Sequence, residues 1–220
     1  EVVNEGTILA TLGKVELVGG DKFTLNLNGN SLLNLSIDEA TLNALIENKG
    51  LIKADGGVVH LTTKALNSVL DGVVNNTGVI EAKTLSANEK GEIILFAHGG
   101  EANIDGTLDA SSSILGDGGF IETSGKDVNI ENSFVVTTKA ENGENGEWLI
   151  DPVNIVVSAS GGDITGSTIA SALSTTDVTL DTSTSCIGVT CNSVTSGNDG
   201  DIIINDMINV TNNSSTNTTF

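Results

Sequence analysis

Hydrophobic and polar residues alternate along this chain in short pulses that recur. The segment "NEGTILA" (4–10) is answered by "NKGLIKA" (48–54), "NTGVIEA" (76–82) and "IDGTLDA" (104–110). Ile8, Ile52, Ile80 and Leu108 hold one position of the repeat, and Ala10, Ala54, Ala82 and Ala110 the next but one. Residues two apart point to the same face of a strand, so both sets read as core. The residues between them, Leu9, Lys53, Glu81 and Asp109, are mostly polar and belong on the solvent face. A second pulse follows each first one: "GKVEL" (13–17), "GVVHL" (57–61), "GEIIL" (91–95) and "GFIET" (119–123). There Val15, Val59, Ile93 and Ile121 align, followed by Leu17, Leu61, Leu95 and Thr123, with Glu16, His60, Ile94 and Glu122 on the other face. The columns keep phase while the loops between them change length. That pattern predicts a solenoid whose coils lay each strand on its equivalent in the coil before.

The predicted fold is all-β, a right-handed parallel β-helix, the hand following from the preference for right-handed crossovers between parallel strands. The leading glycines, Gly6, Gly50, Gly78 and Gly106, lie 44, 28 and 28 residues apart. A spacing of 28 predicts one coil and 44 predicts two, with glycine expected where a corner needs positive φ. An antiparallel sandwich also offers short alternating strands, but it leaves the like-with-like columns unexplained. "DKFTLNLNGNSLLNLSID" (21–38) alternates around Asn-Gly and predicts a hairpin or an extra coil. Two short helical insertions are also expected. One runs over 36–50, with Ser36 and Glu39 in capping-box spacing and Leu42, Leu45 and Ile46 on one face. The other runs over 62–72, with Leu66, Val69 and Leu70. Residues 1–151 read as the repeating coils and 152–220 as a continuing β-helix segment.

Charge narrows the function. Of 220 residues 29 are acidic and nine basic, all nine of them lysine, for a net charge of −20. A chain this acidic and without arginine repels polyanions, which argues against nucleic acid and against an anionic membrane surface as partners. No run of about 18 apolar residues exists, so no membrane span is expected. The aromatic fraction is 3%, which leaves the core to Val, Ile, Leu and Ala. The N-terminus has neither a basic nor an apolar leader region and no Met, and reads as a piece of a longer precursor. Cys186 and Cys191, in "CIGVTC", lack the spacing of a redox or zinc motif and are expected to form a small loop disulfide in an oxidising compartment, two free thiols being the alternative.

Candidate chemistry is thin. Parallel β-helices include polysaccharide-cleaving enzymes, whose sites need clustered carboxylates and a group to stabilise developing charge. Asp105, Asp109, Asp117, Glu122 and Asp127 fall close in sequence, but on corners and outward strand faces where solvated acids belong. His60 and His98 are the only imidazoles; His60 reads as a solvated outward side chain, and nothing in the sequence assigns His98 a role. Asn198, Asp199 and Asp201 in "SGNDGDIII" faintly suggest a calcium loop, with a plain acidic turn the better reading. Trp148, before Asp151-Pro152, is expected to cap or fill the core between coil sets. No catalytic residue, metal site or cofactor is expected.

The segments "VNEGTILATLGKVELVGGDKFTLNLNGN", "NKGLIKADGGVV" and "VNNTGVIEA" and, most specifically, "GGFIETSGKDVNI" (118–130) with "EWLIDPVNIVV" (147–157) resemble the secreted exoproteins of two-partner secretion systems in Gram-negative bacteria. That family includes filamentous haemagglutinin, the high-molecular-weight adhesins and the haem-haemopexin utilisation proteins. The resemblance implies a β-helical fibre, monomeric, carried from the periplasm across the outer membrane by a dedicated β-barrel transporter and displayed on the cell surface or released. It also implies a host or neighbouring-cell receptor as partner. Family members begin with a secretion domain bearing Asn-Pro-Asn motifs. The sole proline here is Pro152, which places the segment at or just after the end of that domain. Three roles are open: an adhesin stalk and binding surface, capture of a soluble host protein, and the stalk of a toxin-delivery protein.

Overall fold

A computed structural model describes residues 1–26, 34–41, 43–64, 72–182 and 200–210. The chain winds as a parallel β-helix. The first coil lays down β1 (Val2–Asn4), β2 (Thr7–Leu9) and β3 (Lys14–Gly19), and an antiparallel hairpin of β4 (Lys22–Asn26) and β5 (Asn34–Glu39) follows. The second coil is β6 (Leu45–Asn48), β7 (Leu51–Lys53) and β8 (Val58–Lys64), and the third begins with β9 (Val73–Asn76) and β10 (Val79–Glu81). From there long strands turn the corner between coils: β11 (Glu92–Ile104) leads to β12 (Thr107–Asp109), and β13 (Phe120–Ile130) to β14 (Val135–Thr137) and β15 (Glu147–Asp151). The last described coil holds β16 (Ile155–Val157), the helix α1 (Gly166–Ala172) and β17 (Asp177–Leu180), and β18 (Ile202–Ile204) pairs in parallel with β16.

Three columns of parallel strands result. The first is β1, β6, β9 and the second halves of β11 and β13. The second is β2, β7, β10, β12 and β14. The third is β3, β8, the first halves of β11 and β13, then β15 and β17. The aliphatic columns read from the sequence are these ladders: Ile8, Ile52, Ile80 and Leu108 are register partners in the second column, and Val15, Val59, Ile93 and Ile121 in the third. All but Ile8, in the first coil, of those eight are buried. Trp148 continues the Ile121 position and is fully buried. Its Nε1 donates to Thr123 Oγ1 at 3.1 Å and its ring lies 5.3 Å from that of Phe134, so it fills the core with its polar edge satisfied.

Three expectations about the elements need correction. The 44-residue interval is one coil, since Thr7 pairs directly with Leu51; the hairpin β4–β5 accounts for the extra length. The helix expected over 36–50 is absent: Ser36–Glu39 belongs to β5 and Leu45–Asn48 is β6, with Leu42 outside the described residues. Ladder partners on both sides of β6 outweigh the local helical signal. Residues 62–64 of the second expected helix are the end of β8, and Leu66, Val69 and Leu70 lie outside the described residues. Among the described residues the one helix is instead α1, with Thr165 as its N-cap and Asp206 Oδ2 accepting from the Gly166 N–H at 2.8 Å. It packs next to β14 and β17 where the second column would have continued.

The leading glycines are there for a different reason than expected. Only Gly106 has positive φ, at 71°. A Cβ on Gly50 would sit 2.1 Å from the Gly6 carbonyl oxygen, one on Gly78 2.2 Å from that of Gly50, and one on Gly106 2.1 Å from that of Gly78. Those oxygens accept the ladder bonds of Leu51, Val79 and Thr107, so the close approach is built into each rung.

Candidate functional site

The outer face of the third column carries the densest chemistry. One outward row runs Lys14, Val58, Glu92, Phe120, Glu147 and Asp177, and the next runs Glu16, His60, Ile94, Glu122, Leu149 and Thr179. His60 is not the solvated side chain expected. Its side chain is only 24% exposed, with Nδ1 3.1 Å from Glu16 and Nε2 3.6 Å from Glu92, and Lys14 Nζ is 2.6 Å from Glu16. Burial pulls the His60 pKa down, but the two carboxylates outweigh it and the net shift is upward. At Glu16 burial raises the pKa and the nearby His60 and Lys14 overcome it; at Glu92 the nearby His60 ring dominates, and both carboxyls end below the usual range. Glu122 goes the other way. Burial pushes it up, with Asp151 adding to the rise and the 2.6 Å bond from Ser124 opposing it. His98 stacks on Phe96 with ring centroids 3.8 Å apart, and burial, then Lys64, lowers its pKa to about 4, leaving it neutral.

A groove of about 790 Å³ runs along the corner that feeds this face. Its floor includes Gly91, Gly119 and Gly146. A Cβ on Gly119 would meet the Gly91 oxygen at 2.2 Å and one on Gly146 the Gly119 oxygen at 1.9 Å, so stacking keeps that floor bare. Five carboxylates, Glu92, Asp117, Glu144, Glu147 and Asp177, line it against one cation, Lys90, which is already 3.2 Å from Asp117. Phe120, Val178, Ile202 and Ile204 supply apolar wall, the two isoleucines 44% and 47% exposed. The carboxylates arrive one per strand or loop, and no arginine exists to stabilise developing negative charge. Among the described residues no three His, Cys, Asp or Glu side chains gather as a metal site.

The acids singled out from the sequence are dispersed. Asp109 pairs with Lys83 at 3.1 Å, Asp117 with Lys90, Asp127 with its neighbour Lys126 at 3.6 Å, and Asp105 accepts from Ser133. Only Asp117 belongs to the groove. Cys186, Cys191, Asn198 and Asp199 lie outside the described residues, and the backbone N–H of Asp201 donates to Asn154 Oδ1 at 3.0 Å. Sequence reasoning missed Glu147 and Asp177. The signal was available: the phase of "GEWLI" (146–150) puts Glu147 at the position of Phe120, although the "TDVTL" strand of Asp177 begins after Thr176 with no glycine to mark it.

Coils of stacked aliphatics, an acidic exterior and a groove lined by five carboxylates describe a parallel β-helix with an acidic surface groove. In sequence the chain is 34% identical over 95 residues, 43% of its length, to the heme/hemopexin-binding protein of Haemophilus influenzae. The match spans about a tenth, 10%, of that relative's length. In fold it is similar to the HMW1 secretion domain from Haemophilus influenzae, with a TM-score of 0.55 and 22% identity, covering 81% of this chain and 42% of that one. No protein-family model matches the chain. Both relatives fall among the two-partner secretion exoproteins that the sequence motifs resemble.

Proposed function

We propose that the chain is a non-catalytic segment of a secreted bacterial surface adhesin, a β-helical stalk that also presents a binding surface. The observation that supports it most is the unbroken in-register stacking from β2 through β14, which makes an extended backbone-bonded rod from short repeats. On this reading residues 152–220 continue the rod begun by 1–151. The protein travels through the periplasm and across the outer membrane by a β-barrel transporter, which engages a secretion domain rather than the groove, and it ends at the cell surface or in the medium. Fluorescently labelled chain should bind host or neighbouring cells saturably, and bound chain should be displaced by unlabelled chain. Absence of displaceable binding to any cell type would count against the adhesin.

Similarity over 95 residues to a protein named for binding heme and hemopexin favours a second reading, capture of a soluble host protein. Pull-down from serum separates the two: one host protein retained stoichiometrically supports capture, and binding to washed cells without serum supports adhesion.

A further inference from the structure

The groove touches Asp177, Val178, Thr179 and Leu180, four consecutive residues of β17. Alternate side chains of a strand point to opposite faces, so a hollow reached by all four lies along the strand's edge, not on one face. Among the described residues β17 pairs with β15 alone, which leaves the main-chain N–H and C=O groups of its other edge without a ladder partner. Glu147 and Asp177 are register partners at the start of these strands, and neighbouring strands are only about 4.8 Å apart. Like charges directly opposite destabilise a sheet. Among the described residues nothing in the groove offsets them, since Lys90 is held by Asp117 and Glu147 accepts only the Thr179 hydroxyl at 2.6 Å. The Asp177 Oδ1 is shut off from solvent and has no hydrogen-bond partner. A buried acceptor left this way costs stability unless a donor arrives.

We propose that this groove takes an extended, lysine- or arginine-bearing segment of a partner polypeptide, which adds as a strand to the edge of β17 and sets its cations against Glu147 and Asp177. The edge of β17, unpaired among the described residues, selects extended main chain, the carboxylates select basic side chains, and Phe120, Val178, Ile202 and Ile204 accept the apolar residues that alternate with them. A second copy of the chain is a poor occupant, because two molecules of charge −20 repel. The proposal rests on the binding-surface reading above.

The test titrates the 220-residue chain into a labelled peptide of alternating lysine and valine, with a glutamate and valine peptide as control. Saturable binding of the basic peptide alone is expected, weakened at least tenfold by Glu147→Gln with Asp177→Asn. The charge-matched variant Glu5→Gln with Asp21→Asn, two exposed acids outside the groove, is expected to bind as the native chain does. If the first pair compromises folding, as a thermal melt would reveal, Glu144→Lys on the exposed rim gives the same readout. Equal loss in both charge-matched pairs would overturn the proposal in favour of diffuse attraction, as would absence of saturable binding. Concentration-dependent dimerisation in sedimentation that the basic peptide fails to reverse would assign the edge to a second copy and also overturn it. Cell binding keeps the two readings separate: a native chain that binds cells and a groove variant that binds them equally well sinks the groove while the adhesin stands.

Discussion

His60 ties three successive coils together through single side chains, with Glu16 on β3, itself on β8 and Glu92 on β11. Because its folded pKa is raised above the unfolded value of 6.5, this contribution is fully present below about pH 6.5 and is lost as pH rises through the folded pKa. Glu16 and Glu92 have depressed pKa values, so their part is present above the unfolded 4.5 and fades as pH falls through their folded values. The staple is therefore strongest in mildly acidic solution. Replacing His60 by Gln should lower Tm at pH 6 by roughly 2–4 °C, a loss of about 1 kcal/mol for a partly exposed cluster, and by less at pH 8.5. Equal losses at both pH values in a calorimetric scan would show that the ring acts by packing alone. Glycine offers a sharper contrast. Gly78→Ala places a methyl 2.2 Å from the Gly50 oxygen and should cost about 3 kcal/mol or more, whereas Gly6→Ala meets nothing within 4 Å and should be neutral or slightly stabilising. Urea titrations of the two variants decide whether the glycines serve stacking, because a purely local turn requirement would penalise both equally.

Between coils, buried asparagines form a ladder at the corner before the second column. Asn4 Nδ2 donates to Asn48 Oδ1 and Asn48 Nδ2 to Asn76 Oδ1, both at 2.8 Å, and Asn76 Nδ2 ends the chain on the Asp105 carbonyl at 2.7 Å. The ladder stops where Ile104 takes the asparagine's place. Asn48→Ala strands a buried donor on Asn4 and a buried acceptor on Asn76 and should cost about 2–4 kcal/mol. Asn103→Ala, in the half-buried outer ladder of Asn75, Asn103 and Asn129, should cost under about 1 kcal/mol. Chemical denaturation of both variants measures the difference. This element also marks how far the sequence could be read. Aliphatic columns were legible because one residue type recurs at one phase, and the antiparallel pairing of β4 with β5 was one of the two readings that segment offered. The asparagine stood in the same phase, two residues before Gly6, Gly50 and Gly78, but a polar residue beside a turn has an ordinary local explanation and only stacking shows it buried. The misread helix over 36–50 had the opposite fault, a good local signal in a segment whose ladder partners are 28 and 44 residues away. His60 was assigned correctly to the outward face, yet its two carboxylate neighbours come from other coils and no spacing within its own strand announces them.

For the molecule as a whole the decisive quantity is charge. Lys53 reaches Glu81 and Asp55, and Lys83 reaches Asp109, so two lysines offset most of the charge of three carboxylates beside the second column. Such exposed pairs contribute up to about 1 kcal/mol each, while 29 acids against nine lysines leave twenty negative charges without a counterpart on the chain. Salt screens both attraction and repulsion beyond a Debye length of about 8 Å at physiological strength. The surplus is larger than the pairing, so raising ionic strength should raise Tm by several degrees. A fall in Tm would mean that the lysine ladders, not the acidic surface, govern the electrostatics of the rod. The groove responds with the opposite sign, because its attraction for a basic strand is itself screened. One salt series therefore distinguishes the two scales: stability that climbs while affinity for the lysine-valine peptide drops assigns the acidic excess to recognition rather than to folding.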